Sequence, residues 1–411
     1  MSVLEMRKTA KAVFAAGVAA ADPYLAVKSA LVERPVINPP DGGRIIVLAL
    51  GKAAMRMAEA ANEILDDIAE LIVITNYENA KNIDYAKVYA AGHPVPDDKG
   101  AQAAGDVITV LQKATENDQI LALISGGGSA LMPAPVQGIG LEDKAEVSRL
   151  LLGCGAEIGE MNLVRQQLSR TKGGGLLRIS APAKVRSLIL SDVIGDDLRL
   201  IASGPTVGAV GSKEQAVTLL KSYGIWQNLP VCVQDYLSVP AAQLPPLPKA
   251  ENQLVGSNPI SLAAMKTAAP QAKLVETPLV GDVQDAAEIV ANSGKGMTLF
   301  GGETTVQIKG DGLGGRNQEL ALRLAFLAEK QGWSAPWVFL SGGTDGRDGP
   351  CDAAGAIVDH NSLKRMRSAG VSPEKMLANN DSYHALKASE DLLMTGATGT
   401  NVADLQVLIR Q

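Results

Sequence analysis

The chain has 411 residues, with 38 Lys and Arg against 44 Asp and Glu, for a net charge of −6. Hydrophobic residues make up 46% and charged residues 20%, proportions that exclude a wholly disordered chain. The 42 glycines follow no G-x-y period, which excludes collagen, and the acidic balance gives no global pull toward nucleic acid.

Val3, Met6, Ala10, Val13, Phe14 and Val18 recur near helical spacing and predict an amphipathic helix at the N-terminus. Lys8 and Lys11 before an alanine-rich stretch imitate a signal peptide, but Glu5 spoils the basic flank. No other run offers the ~18 consecutive apolar residues of a spanning helix, so no membrane partner is expected. Apolar β-type runs follow: RIIVLAL before Gly51, QILALI before Ser125 and VRSLILS before Asp192. Later ones are NQLVG at 252–256, GMTLFGG at 296–302 and PWVFLSGG at 336–343. Helical stretches such as KAAMRMAEAANEILDD and NQELALRLAFLAEK separate them. Continuous apolar strands alternating with helices predict an α/β protein whose parallel sheet is covered on both faces. The segment 239–251 holds four prolines and no periodicity, and reads as a linker. It predicts an N-terminal α/β domain over 1–238 and a smaller C-terminal α/β domain over 252–411.

Cys154, Cys232 and Cys351 are far apart and form no C-x-x-C pair, which argues against a disulfide framework and points to a cytoplasmic setting. His93, His360 and His384 are equally scattered, so no catalytic zinc is expected.

Glycine clusters stand where strands end, the place where open α/β sheets form ligand crevices. In Ser125-Gly126-Gly127-Gly128-Ser129 the backbone can converge on a phosphate or carboxylate, with Ser129 as a hydroxyl donor; a tight strand-to-helix connection is the alternative. Lys172 before three glycines suits phosphate, or a helix C-cap with a solvated lysine. Asp192 follows a buried strand, as magnesium-binding or catalytic carboxylates do. Asp196 and Asp197 read as turn residues or caps. Gly310, Gly312 and Gly315 match G-x-G-x-x-G, but the acidic residue of a dinucleotide site is missing at its usual distance. Arg316 and Asn317 open the helix after them, and the arginine fork suits a transferring phosphoryl group or a carboxylate. Asp345 and Asp348 sit in SGGTDGRDG, pointing to Mg²⁺, a substrate hydroxyl or a hairpin-like turn. Lys52 stands at a helix start, where an anionic partner would offset the dipole. Ile46 stands where a Walker A glycine belongs, so this is no P-loop. His93, in AGHPVPD, is a candidate base or substrate donor.

Nine motifs then occur in order: ALGKAA, AGHPVPD, LISGGGSAL, EMNLVRQQLSRTKGGGL, SLILSDVIGDDLRLIASGPT, GGETTV, GDGLGGRNQELAL, LSGGTDGRDG and GATGTNVADL. Over almost the whole chain they resemble the glycerate 2-kinase family with a C-terminal MOFRL domain. The resemblance implies a Rossmann-like N-terminal domain, a smaller MOFRL domain and a site in the cleft between them. It implies transfer of the ATP γ-phosphate to D-glycerate, usually at O2, with Mg²⁺. Lys52 and Arg316 match the family's proposed catalytic pair. On this reading the SGGGS loop and Lys52 hold nucleotide phosphates, Asp192 and Asp345 bind Mg²⁺, and Arg316 neutralises the transferring group. Lys172, Glu303, Asn317 and His93 are further substrate or nucleotide contacts. A homo-oligomer is left open. Many bacterial members carry the label hydroxypyruvate reductase, which makes an NAD(P)H-dependent reductase using Gly310, Gly312 and Gly315 the rival expectation.

Overall fold

The apolar runs between Ile45 and Gly256 pair into one sheet. Its strands are β1 (Ile45–Leu50), β2 (Ile68–Asn76), β3 (Lys87–Ala91), β4 (Gln119–Ile124), β5 (Lys184–Leu190) and β6 (Ala250–Gly256), in the order β3-β2-β1-β4-β5-β6. β1 runs parallel to β2 and β4, β2 to β3 and β4 to β5. All six residues of β1 are buried, which is why the run carries no polar alternation. This is the order of doubly wound nucleotide-binding sheets, which reverses between β1 and β4. The two strands end in register at Leu50 and Ile124, so the loops after them flank that switch point.

The structure, a computed structural model, describes every residue except Asp41 and Ala242. It forms two compact units: Pro23–Val255, and Met1–Asp22 together with Gly256–Gln411.

In the first unit, Ile46, Leu48, Leu50, Ile72 and Ile74 share a core with Val107, Ile108 and Leu111 of the helix Asp98–Leu111. Asp97 starts that helix by accepting the Gly100 N–H at 2.9 Å. Each of those side chains contributes about 1.5–3 kcal/mol on full burial. A separate helical core joins Val147 and Leu151 of Leu141–Gly153 to Met161 and Val164 of Ile158–Gln167 and to Ala216 and Leu220 of Lys213–Ser222.

The second unit has a mixed sheet of β7 (Lys273–Leu274), β8 (Leu279–Asp282), β9 (Gly296–Thr305), β10 (Trp337–Gly343), β11 (Gly355–Asp359), β12 (Leu392–Leu393) and β13 (Asp404–Arg410), in the order β12-β11-β10-β13-β9-β7, with β8 on β9. Phe300, Phe339 and Leu408 face one core, with Leu320 and Leu324 of the helix Arg316–Lys330. Leu299, Leu340, Leu405 and Val407 face the other.

The chain divides differently from the sequence expectation in two places. The helix Val3–Ala20 belongs with the C-terminal sheet and not with residues 23–238. Its buried stripe of Met6, Ala10, Val13 and Phe14 finds Leu262, Met265 and Leu405. Arg7 adds ion pairs to Asp359 (2.6 Å) and Asp391 (2.9 Å). The run at 252–256, assigned to the C-terminal domain, is instead most of β6 and edges the first sheet. Among its described residues the proline-rich stretch carries no helix or strand until Ala250.

Candidate functional site

In the first unit the site residues gather at the β1/β4 switch point. Ser125 N–H donates to Leu50 C=O (2.8 Å), and Lys52 N–H donates to Gly126 C=O (2.9 Å). Ser125 Oγ accepts from Ala53 N–H (3.1 Å) and donates to Leu50 C=O (3.3 Å). The Ser125 hydroxyl therefore staples the two loops together instead of facing a ligand. The helix Ala54–Ile64 starts two residues after Lys52 with no side-chain cap, its Ala54 N–H donating to the Gly51 carbonyl (3.2 Å), and the positive end of its dipole suits an anion.

Gly126 and Gly127 have different jobs. A Cβ on Gly126 would collide with the Asp192 carboxylate, so the loop and Asp192 touch. Gly127 adopts φ +85°, and a Cβ there would sit 3.1 Å from His93 Cδ2 and 3.2 Å from Lys52 Cγ. His93, Gly127, Lys52, Gly126 and Asp192 thus form one contiguous patch. Burial, then the Lys52 charge, pulls His93 below its usual range, which favours the neutral imidazole at neutral pH. Burial pushes the Asp192 carboxyl up, against the pull of Lys52.

Gly128 begins a helix of only four residues, Gly128–Leu131. Ser129 is also not a free donor. Lys172 Nζ donates to Ser129 Oγ (2.7 Å), Ser129 and Ser203 hydroxyls meet at 2.9 Å, and Ser203 Oγ donates to Asn162 Oδ1 (2.8 Å). Because the Ser203 proton goes to Asn162, the Ser129 proton goes to Ser203. Lys172 is 8% exposed, so the solvated-lysine cap does not apply. Gly173 and Gly174 N–H groups donate to Ser203 and Gly204 carbonyls, which locks the KGGG turn to the SGPT turn. Ala202 (φ +49°) and Ser203 (φ +60°) hold a left-handed conformation that costs non-glycine residues about 1–2 kcal/mol each. Gln166 supports it by donating to the Arg199 (3.0 Å) and Ser203 (3.1 Å) carbonyls. Asn162, Gln166 and Ala202 had no role assigned from sequence. A buried amide in a polar helix is the signal that could have found the first two. Asp197 ion-pairs with Arg199 at 2.6 Å, and Asp196 takes a turn conformation at φ +53°.

In the second unit Arg316 forks onto Asp404, Nε to Oδ2 at 2.6 Å and Nη2 to Oδ1 at 3.0 Å. Its Nη1 meets Glu303 Oε1 at 2.8 Å. Against the pull of burial, Asp404 and Glu303 hold the guanidinium above its ordinary value. Asn317 N–H (3.1 Å) and Gln318 N–H (2.8 Å) donate to the Asp348 carboxylate, and Asn317 Oδ1 accepts from Ser341 (2.6 Å). Asp348 is therefore a helix cap borrowed from the β10–β11 connection, and the SGGTDGRDG segment is a hairpin loop. Burial pushes its carboxyl up to about 6. Asp345 accepts the Arg347 N–H at 2.9 Å. The G-x-G-x-x-G glycines are occupied by the chain itself: a Cβ on Gly312 would lie 2.5 Å from the Asn379 carbonyl oxygen, and one on Gly315 would press on Asp348. Among the described residues no three His, Cys, Asp or Glu side chains could together hold a metal ion. A nucleotide-borne magnesium needs only one or two carboxylates, and Asp192 accepts no hydrogen bond from another side chain among the described residues.

Residues 9–238 match a domain of unknown function, DUF4147, and residues 296–404 match the MOFRL family. The chain is 38% identical to glycerate 2-kinase of Pyrococcus horikoshii, across 100% of this chain and 98% of that one. It is 40% identical to D-glycerate 2-kinase of Thermotoga maritima across 97% of each. This chain belongs to the glycerate kinase family. It is a kinase, and the resemblance carried by the nine motifs holds. The crystal structure of glycerate kinase from Thermotoga maritima superposes with a TM-score of 0.91 at 38% identity, covering 99% of this chain and 100% of that one. A chain of Agrobacterium vitis provisionally named hydroxypyruvate reductase is 39% identical over 98% of this one. The reductase label thus travels within the glycerate kinase family. The glycine run on which a reductase would depend is here packed against Asn379 and Asp348.

Proposed function

We propose that this glycerate kinase family member transfers the γ-phosphate of ATP to D-glycerate and gives 2-phosphoglycerate by in-line displacement. One observation carries the reading: at the β1/β4 switch point, Lys52 and an uncapped helix start face a glycine loop flanked by His93 and Asp192. That set supplies cationic charge, the potential of a helix start and two proton-handling groups at one crevice, the parts that phosphoryl transfer uses.

Lys52, at the positive end of the helix Ala54–Ile64, holds phosphate oxygens. Neutral His93 takes the substrate hydroxyl proton or orients that hydroxyl. Asp192 would hold Mg²⁺ in company with the nucleotide phosphates, and Asp345 is a second candidate carboxylate. The ion supplies charge neutralisation on those oxygens. Arg316 is the proposed stabiliser of the transferring group, a role worth on the order of 10³ or more in rate at other phosphoryl-transfer sites. Its present partners Asp404 and Glu303 fix its orientation. Glu303 positions it, and Asn317, tied to Asp348 and Ser341, braces the start of the helix that carries it; neither is required to touch substrate.

The test is ADP release from purified protein with D-glycerate and Mg-ATP, repeated with Lys52→Met. The reading expects turnover in the wild type and its loss in the variant. Undiminished turnover in the variant would remove Lys52 from the site.

A further inference from the structure

Three cations in the first unit stand together without a carboxylate. Lys144 lies in the first turn of Leu141–Gly153, Arg165 on Ile158–Gln167, and Lys172 beside Ser129. Arg165 Nε donates to Ser148 Oγ (3.2 Å), and Ser148 sits one turn beyond Lys144 on the same helix face. Among the described residues none of the three makes an ion pair. Lys144 inverts the usual behaviour of lysine. Its Nζ is buried with no hydrogen-bond partner, although the residue as a whole is only half-buried. Lysines normally hide the stem and keep the amine in water. Its place in a helix first turn adds to the positive potential.

Three gathered cations without a counter-charge cost several kcal/mol unless an anion meets them. The hydroxyls that meet them, Ser129 Oγ for Lys172 and Ser148 Oγ for Arg165, are neutral and supply no counter-charge. Each of the three side chains is pulled below its usual range, chiefly by burial, and Lys144 and Arg165 both depress Lys172.

We propose that Lys144, Arg165 and Lys172 form an oxyanion subsite continuous with the SGGGS loop through Ser129. The subsite takes an oxyanion of a co-substrate: the carboxylate of the acid, or a phosphate of the nucleotide. The proposal rests on the kinase reading for the identity of the two co-substrates. It adds to that reading two residues on helices outside the glycine loops, Lys144 and Arg165.

Lys144→Met and Arg165→Met separate the sources. The KM for one co-substrate should rise about 10-fold or more, equivalent to about 1.4 kcal/mol of lost binding. A rise for D-glycerate assigns the carboxylate, and a rise for ATP assigns a phosphate. Both KM values unchanged in both variants overturns the subsite. A second readout is independent of turnover. D-glycerate, ATP and tripolyphosphate are each added alone, and the thermal midpoint is followed in wild type and Lys144→Met. At least one should raise the wild-type midpoint and lose that effect in the variant. Equal responses in both proteins, or none in the wild type, overturn the proposal. If the wild type phosphorylates no glycerate, the kinase reading fails, and the midpoint series still decides the subsite.

Discussion

Removing the Lys144 charge should stabilise the protein, and the gain should depend on pH. Burial lowers the Lys144 ammonium from 10.5 to about 8. That gap is worth about 3 kcal/mol at ~1.4 kcal/mol per pH step. The sign follows from proton counting. Between about pH 8 and 10.5 the unfolded chain holds the lysine proton and the folded chain has released it. Folding stability therefore rises with pH across that window, and below it the whole penalty is present. Lys144→Met removes the penalty, and relief of repulsion on Arg165 and Lys172 adds to the gain. At pH 7 the unit Pro23–Val255 should gain roughly 3 kcal/mol, or about 6–12 °C at the ~2–4 °C per kcal/mol of a domain this size. Urea unfolding of both proteins between pH 7 and 10.5, followed by circular dichroism, measures the difference. It should shrink steadily toward pH 10.5. A variant less stable than wild type at pH 7, or a gap that does not change with pH, would refute the reasoning.

Gly126→Ala should abolish most turnover, because the new methyl collides with the Asp192 carboxylate; steady-state rates near wild type would show that the loop and Asp192 need not touch. Arg316→Lys should keep the fold and cut kcat by about 10³. Arg316→Ala should in addition lose about 1–3 kcal/mol, since Asp404 is only 1% exposed and is left unpaired, with the low end favoured by the partial exposure of the arginine; calorimetry separates the two effects. His93 lies below its usual range, so the kcat/KM profile should fall on an acid limb below about pH 6.5, and His93→Asn should flatten that limb. An unaltered limb would assign it to another group.

The sheet of the first unit was legible because its strands are buried on both faces and so read as unbroken apolar runs. Lys52, the SGGGS loop and Asp192 were legible because strand ends are where such sheets place ligands, and the structure brings these residues together with His93. The destination of the N-terminal helix was not legible: its stripe of Met6, Ala10, Val13 and Phe14 states that it packs but not on what. The hydroxyls of Ser125 and Ser129 read as ligand donors because their acceptors, the Leu50 carbonyl and Ser203, come from distant segments. Lys144 drew no reading from the sequence, since periodicity is blind to an amine turned inward. The left-handed Ala202 and Ser203 gave no signal because neither is a residue that prefers that conformation. The G-x-G-x-x-G match rests on spacing alone, as the missing acidic residue indicated: its glycines admit neighbouring segments of the chain.

The central claim is tested most directly by one paired assay on the purified wild-type protein. D-glycerate and Mg-ATP are supplied with ADP release recorded, and the product is passed straight to enolase without a mutase. Hydroxypyruvate and NADH are supplied in a parallel reaction. The account predicts ADP release with a product that enolase consumes, and no oxidation of NADH. NADH oxidation without ATP-dependent turnover would contradict it.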